Sequence, residues 1–128
     1  MDRAWKEIKV LLVPLLWLEA WGIAVIEAQP RGTPVISSNA GGIPEAKLGI
    51  PYIIPVNALT GKRIGFDNYI IPDQDINLGV TTSEMLMTNR EEYERLPNLV
   101  RNKTVEWLRG QDHTTHEKWL MTLRRTDT

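Results

Sequence analysis

The chain has 128 residues, enough for one domain, and its 42% apolar content is ordinary for a soluble globular protein. Its formal net charge of −1 gives no electrostatic reason to expect nucleic acid or an anionic membrane as a partner. The chain contains no cysteine, which excludes disulfides, thiolate nucleophiles and thiolate metal sites.

The first 56 residues predict a βαβ unit with a parallel sheet. Three apolar runs of strand length lie at residues 8–14, 34–38 and 50–55. Residues 23–29 have a helical pattern, and Gly32 is suited to the position after the helix end. Pro30 is expected to distort the last turn of that helix, because proline has no backbone N–H.

Residues 57–72 are rich in turn-forming residues and predict a surface loop, while residues 73–128 predict a helical region. A helix is expected from residue 73 or 75 to residue 87. Its apolar residues Ile76, Val80 and Met87 are predicted to face inward.

Two further helices are predicted after that one. Asn89 and Glu92 resemble a capping box, and Pro97 is expected to interrupt and restart the helix that follows. Asp112 is expected to cap the last helix. The residues expected on one side of that last helix are His116, Trp119, Leu120 and Leu123.

The apolar stretch at residues 10–18 has the character of a signal-peptide core. It is short for a membrane span, however, and Glu19 interrupts it. We therefore expect no membrane segment and a cytoplasmic location.

Two glutamates and a glycine loop form a recognisable pattern around the second strand. Glu19 and Glu27 are followed by the strand sequence Gly-Thr-Pro-Val-Ile and by the loop Gly41-Gly42-Ile-Pro-Glu45. This pattern resembles the nucleotide-sugar-binding domain of retaining glycosyltransferases of the GT-B fold. The sequence looks most similar to fungal members. The resemblance implies a truncated Rossmann-like α/β fold with about three parallel strands and C-terminal helices.

In the enzymes that this chain resembles, the earlier glutamate lies near the sugar and the later one holds the nucleotide ribose. Their active site lies between two domains, and basic residues from an earlier segment clamp the diphosphate. We expect this chain to hold only the last part of one such domain, as a single truncated domain without nucleotide-sugar transfer on its own.

An apolar turn follows the first predicted strand. It lies at the carboxyl end of the strand, where ligands of open α/β sheets bind. Leu15, Leu16, Trp17 and Trp21 surround Glu19 there, which describes an apolar small-molecule pocket. The alternative is that the tryptophans are core or dimer contacts. Gly41 and Gly42 likewise fit either an anion-binding loop or a tight turn.

The sequence therefore predicts Glu19 and Glu27 as catalytic carboxylates. The predicted ligand-binding residues are Leu15, Leu16, Trp17, Trp21, Gly22, Asn39, Gly41, Gly42 and Glu45. No cofactor and no metal are expected, because His113 and His116 lack a third ligand. Lys47, Lys62 and Arg63 form no run and are expected to be solvated.

Three functions remain open at this point. The first is a glycosyltransferase subunit that binds nucleotide sugar, and the second is a binding module without catalysis. The third, which we favour, is a repurposed fragment that cyclises an apolar metabolite without a cofactor. Stand-alone fungal fragments of this kind resemble a norbornene-forming Diels–Alder cyclase of terpenoid biosynthesis. Because a small parallel sheet leaves faces and edges uncovered, a homodimer is also expected.

Overall fold

The computed structural model describes residues 2–66 and 68–123 and shows the mixed α/β fold that the sequence predicts. A three-stranded parallel sheet is flanked by helices, and the C-terminal third is helical. The helices are α1 (Asp2–Glu7), α2 (Ile23–Ala28), α3 (Ile43–Ala46), α4 (Asn77–Thr88), α5 (Arg90–Arg109) and α6 (His113–Thr122). The strands are β1 (Leu11–Val13), β2 (Val35–Ser38), β3 (Ile53–Ile54), β4 (Arg63–Ile64) and β5 (Asn68–Tyr69).

The parallel sheet has the order β1-β2-β3, with Leu11 paired to Val35 and Ser37 paired to Ile53. All three strands are shorter than the apolar runs that predict them. Pro14 ends β1, because proline cannot donate to the ladder. Tyr52, just before β3, has a φ of 76°, which is incompatible with an extended strand.

The predicted surface loop at residues 57–72 contains structure that the sequence analysis misses. β4 and β5 pair antiparallel within it, with Arg63 opposite Tyr69. The Arg63 guanidinium donates to the Tyr69 hydroxyl at 2.6 Å. Both strands are exposed, so this hairpin adds nothing to the core, and the prediction of a surface segment stands.

The end of α2 confirms the effect expected of Pro30. The α-helix stops at Ala28, and a 3₁₀ turn follows over Gln29–Arg31. Gly32 then closes the turn with a φ of 75°. Proline supplies no N–H for a regular helical bond, so the chain tightens before it ends.

One face of the sheet is covered closely by α2 and α3, and we call it the packed face. Its core residues are Val13, Val25, Ala28, Val35, Ile43 and Ala46. Lys47, at the end of α3, is also fully buried here, so the prediction that it is solvated is wrong. Its ammonium donates to the Val35 carbonyl. Burial lowers the pKa of Lys47 to about 8.

The opposite face is covered by α4 and α5, and we call it the cavity face. Ile36, Leu86 and Leu96 form its buried core. Tyr52 donates from its hydroxyl to the Glu92 carboxylate, which ties β3 to α5.

Helix α5 runs through Pro97 without a break, so the predicted interruption is wrong. Asn89 caps it as predicted, its side chain accepting from the Glu92 N–H at 3.1 Å. Leu96 and Val100 are fully buried on either side of the proline. Burying both side chains offsets the backbone hydrogen bond that Pro97 cannot make.

Helix α6 has the Asp112 cap that the sequence predicts, and Thr114 N–H donates to that carboxylate at 2.9 Å. None of its residues is buried. Trp119, Leu120 and Leu123 are each more than half exposed. The apolar side of α6 therefore has no cover within the described part of the chain.

Candidate functional site

A cavity of about 590 Å³ opens where the three parallel strands end, between the cavity face and α4. Leu12 of β1, Ile36 and Ser38 of β2, and Ile54 of β3 line its sheet side. Pro14, Leu16 and Val56 extend the lining beyond the strand ends. The walls are therefore almost entirely apolar, at the edge where open α/β sheets bind ligands.

The strand register explains why these side chains share one face. Leu12 and Ile36 are partners in the β1–β2 ladder, so they lie side by side. Alternation sends Val13 and Val35 to the packed face and leaves Leu12 toward α4. Leu12 nevertheless stays 58% exposed, because α4 does not close over it.

Helix α4 forms the opposite wall with the residues predicted to face inward. Ile76, Val80 and Met87 line the cavity, yet they are 69%, 47% and 86% exposed. They face the cavity, but the open cavity leaves them exposed rather than packed against the sheet. The helix buries Thr82 and Leu86 instead, because the side that packs against Ile36 and α5 is rotated from the apolar stripe.

Two small residues widen the α4 wall. Gly79 has open space where a Cβ atom would stand, with nothing within 4 Å. Ser83 turns its hydroxyl back to the Gly79 carbonyl, at 2.8 Å. The wall therefore offers an apolar surface with a shallow recess at its middle.

Besides Ser83, three polar side chains line the cavity near the start of α4 and along it. Gln74 is fixed, since its amide donates to the Asn57 and Pro72 carbonyls at 2.7 and 3.0 Å. Asp75 accepts from the Asn77 N–H at 2.9 Å. The Glu84 carboxylate has no hydrogen bond or ion pair with any residue that the structure describes.

The sequence-predicted site lies mostly beside this cavity rather than around it. Leu16 lines the cavity directly, and its carbonyl accepts from the Leu59 N–H at 3.0 Å. The Leu15 carbonyl accepts from the Ser38 hydroxyl at 2.6 Å, so it supports a lining residue. The other predicted residues are absent from the lining.

The glutamates predicted for the site differ in solvent exposure. Glu19 is half-buried, and its carbonyl accepts from the Gly42 N–H at 2.6 Å. Glu27 is exposed on α2, and Glu45 is exposed in the first turn of α3. No contact between the Glu19 and Glu27 carboxylates appears within the described residues.

The glycine pair packs directly on the turn that carries Glu19. A Cβ atom on Gly41 would stand 2.2 Å from the Glu19 carbonyl oxygen, and one on Gly42 would stand 2.1 Å from that of Ala20. Only glycine fits such backbone contact. Of the two interpretations of Gly41 and Gly42, the tight turn therefore explains both glycines without a bound anion.

The predicted aromatic residues point to two different neighbours. Trp17 meets Tyr69 of the hairpin edge-on, with 5.9 Å between ring centroids. Trp21 lies against Trp107 of α5 at 5.9 Å and 33°. Trp21 is half-buried by its contact, which agrees with the packing alternative, whereas Trp17 stays 55% exposed and is not a core residue.

The remaining two predicted ligand-binding residues also have structural contacts. The Asn39 side chain accepts from the Val56 N–H at 3.0 Å and so joins the ends of β2 and β3. Gly22 is buried at the start of α2 with a φ of 79°, and a Cβ there would touch Ile43 at 3.5 Å.

A second, more open cleft of about 430 Å³ lies at the C-terminal end of α5. It is lined by Leu48, Lys103, Glu106, Trp107, Gly110 and Gln111. Among the described residues, no group of three His, Asp or Glu side chains is placed to hold a metal. No helix in the same residues has the length and apolar character to span a membrane.

Comparison with known proteins places the resemblance in the first third of the chain. The sequence model of glycosyl transferases group 1 matches residues 1–47. That match supports a GT-B-like glycosyltransferase fragment and includes Glu19, Glu27 and the glycine pair. No curated protein and no solved structure matches the chain.

The cavity draws on both sides of that boundary. Its Leu12, Leu16 and Ile36 lie within the matched residues, whereas α4 lies outside them. Sequence reasoning missed the α4 wall because an apolar stripe is usually core. The available signal was Gly79 and Ser83, two small residues on a helix face that would otherwise be filled.

Proposed function

We propose that the protein binds an apolar small molecule in the cavity at the strand ends and promotes its cyclisation without a cofactor. The observation that carries the proposal is the cavity itself, about 590 Å³ between Leu12, Ile36 and Val80. Small-molecule sites span roughly 300–1,000 Å³ and combine apolar walls with few polar groups. This cavity has that size and that composition.

The proposed reaction is an addition of Diels–Alder type in fungal terpenoid metabolism. Two carbon–carbon σ bonds form as a diene and an alkene lose two π bonds, so no electrons or atoms enter or leave. The protein needs only to hold both groups face to face. Positioning of this kind contributes on the order of 7–11 kcal/mol, and apolar walls favour the folded conformer.

Glu19 and Glu27 remain the catalytic candidates that the sequence proposes. Glu19 is the better placed of the two, because it is half-buried in the turn that continues from Leu16. Its carboxyl group would polarise the substrate at that end. Glu27 is exposed on α2, which supports only a peripheral role.

A binding experiment tests the cavity first. Val80→Trp would fill the space opposite Leu12, and Ile23→Trp places the same indole on the exposed outside of α2. We expect 1-adamantanol to shift the amide signals of cavity residues in the unaltered protein and in Ile23→Trp, but not in Val80→Trp. Equal binding by all three proteins would remove the cavity from consideration.

A turnover experiment then tests the reaction. A linear terpenoid carrying a conjugated diene and a distant alkene is incubated with the protein, and cyclised product is followed by gas chromatography. We expect acceleration that Val80→Trp abolishes and Glu19→Gln lowers. If Glu19→Gln, Glu27→Gln and Trp21→Ala all leave turnover unchanged, the sequence-predicted site plays no part.

The proposal includes a homodimer in the cytoplasm. Within the described residues, β1 pairs only with β2, so its outer edge is open. Leu12, Leu15 and Leu18 are exposed beside that edge, and α6 exposes a further apolar side. Exposed apolar surface next to an open edge favours self-association. A monomer at micromolar concentration in sedimentation would refute this part.

The second candidate is a nucleotide-sugar-binding subunit, and the match to residues 1–47 favours it. Glu27 would then hold the ribose and Glu19 would lie near the sugar, as the resemblance implies. A diphosphate, however, finds no Lys, Arg or His among the residues that line the cavity. We expect no heat when UDP-glucose is titrated into the protein, and measurable saturable heat would favour this candidate.

A further inference from the structure

The polar side chains around the cavity differ in what they can offer a ligand: their hydrogen-bond donors are engaged, whereas their acceptors are largely free. The charged side chains in its lining are Asp75 and Glu84, both carboxylates. No cationic side chain stands among the described residues that line it. A ligand therefore meets negative charge along the α4 wall.

The side-chain donors in the lining are already engaged within the protein. Both amide hydrogens of Gln74 go to backbone carbonyls, those of Asn57 and Pro72. The Ser38 hydroxyl donates to the Leu15 carbonyl, and the Ser83 hydroxyl donates to the Gly79 carbonyl. The exception is Ser37, whose buried hydroxyl has no hydrogen-bond partner among the described residues. Strand alternation turns this side chain away from the cavity, to the packed face with Val35.

The acceptors, in contrast, are largely free. Asp75 uses one oxygen for the Asn77 N–H at the start of α4, and its other oxygen has no described partner. Both Glu84 oxygens lack a described partner. The side chains that face this cavity thus offer acceptors and negative charge, and their donors are already engaged.

We infer that the cavity selects an apolar molecule whose one polar end donates hydrogen bonds, cationic in preference to neutral, and that it disfavours the carboxylate or phosphate analogue. Glu84 is the specificity-determining residue in this inference, which rests on the proposed function. An ammonium or hydroxyl end would satisfy the free oxygens. An anionic end would face like charge and find no side-chain donor.

The expected size of the preference follows from the exposure of the carboxylates. Asp75 and Glu84 are both exposed, so solvent and salt screen their charge. Coulomb attraction under such conditions corresponds to about a fivefold preference for a cation over a neutral analogue. The preference should shrink at high salt, while the apolar part of the affinity should not.

Three probes with one rigid hydrocarbon cage isolate the polar end. They are 1-adamantanamine, 1-adamantanol and adamantane-1-carboxylate, each titrated into ¹⁵N-labelled full-length protein at pH 7 while amide signals of the cavity are followed. We expect the amine to bind about fivefold more tightly than the alcohol, and the carboxylate to bind more weakly than either.

The variant Glu84→Gln keeps the shape of the site and removes the charge. We expect it to bring the amine down to the affinity of the alcohol while leaving the affinity for the alcohol unchanged. Glu117→Gln, which removes an exposed carboxylate on α6, is the matched control and should leave all three affinities as they are.

The outcomes separate this inference from the function on which it rests. If none of the three probes binds the cavity, the proposed function fails. If the alcohol binds but the amine does not exceed it, the inference is overturned and the cavity stands. A preference for amine that survives Glu84→Gln would equally overturn the role of Glu84.

Discussion

The two faces of the parallel sheet are covered to different degrees. On the packed face, Val25 and Ile43 are fully buried between the helices and the strands. On the cavity face, Ile36 is buried at the middle of the sheet, but Leu12 beside it is 58% exposed. The same three strands thus carry a closed core on one side and an open apolar recess on the other.

The difference arises from how the helices reach the sheet. Helix α2 connects β1 to β2 and helix α3 connects β2 to β3, and the two helices present Ala28 and Ala46 to the packed face. Helix α4 follows β3 only after a long connecting segment that contains the β4–β5 hairpin. The packed face also lies within the residues that match glycosyl transferases group 1, whereas α4 does not. The part that resembles a known enzyme is therefore the scaffold, and the part that opens the cavity is not.

The largest contrast is expected from adding one methyl group on each face. In Gly42→Ala, the new Cβ would stand 2.1 Å from the Ala20 carbonyl oxygen and 2.9 Å from the Ala20 carbonyl carbon, both of them backbone atoms. In Gly79→Ala, it would enter open space on α4, where alanine is the better helix former. We expect the first to lower the free energy of unfolding by at least about 3 kcal/mol and the second to raise it by about 0.5–1 kcal/mol. Urea denaturation of both variants measures the difference. Similar losses in the two would mean that the cavity is closed in solution.

A matched pair of valine truncations should show the next largest contrast. Val25 is 0% exposed on the packed face, and Val80 is 47% exposed in the cavity wall. We expect Val25→Ala to cost about 2–3 kcal/mol, because it removes buried methyl groups and leaves a void. Val80→Ala should change stability by no more than about 0.5 kcal/mol. A cost above about 1.5 kcal/mol for Val80→Ala would show that α4 packs onto the sheet.

The sequence predicted the parts of this comparison that depend on neighbours in the chain. The βαβ unit, the distorted last turn of α2 at Pro30 and the caps at Asn89 and Asp112 all follow from local backbone chemistry. Each of these signals acts within a few residues. They needed no knowledge of which surfaces meet.

What the sequence could not predict depends on long-range packing. Pro97 looks like a helix breaker, but burial of its neighbours carries the helix through it. The apolar stripe of α4 looks like core, but the helix packs along another side and leaves Val80 in the cavity wall. Lys47 looks like a surface cation until β3 starts late and leaves the Val35 carbonyl for it. Of the predicted site residues, Leu16 lines the cavity, and none of them belongs to the α4 wall.

The two faces should also differ in how their charged residues make stability depend on pH. On the packed face the residue concerned is Lys47. Burial lowers the pKa of Lys47 from 10.5 to about 8, so the folded chain releases this proton before the unfolded chain does. Stability should therefore rise as pH increases from about 8 toward 10.5, by about 2 kcal/mol between pH 7 and 9.5. Lys47→Met should lose this rise, and Lys62→Met, at an exposed position, should keep it. Parallel pH profiles for Lys47→Met and the unaltered protein would show that the ammonium is solvated.

The cavity face carries the smaller effect, at the opposite end of the pH scale. Hydrogen bonds from Arg95 and then from Tyr52 lower the pKa of Glu92 from 4.5 to about 2. Because the folded-state pKa is the lower one, this carboxylate stabilises the fold above pH 4.5, and the contribution is lost as pH falls toward 2. Solvent reaches the pair, so we expect Glu92→Gln to cost only about 1 kcal/mol or less at pH 7 and to flatten the acid limb of the stability profile. Glu94→Gln removes an exposed partner of Arg90 and should do neither. An unchanged acid limb in Glu92→Gln would mean that β3 and α5 are held together by apolar contacts alone.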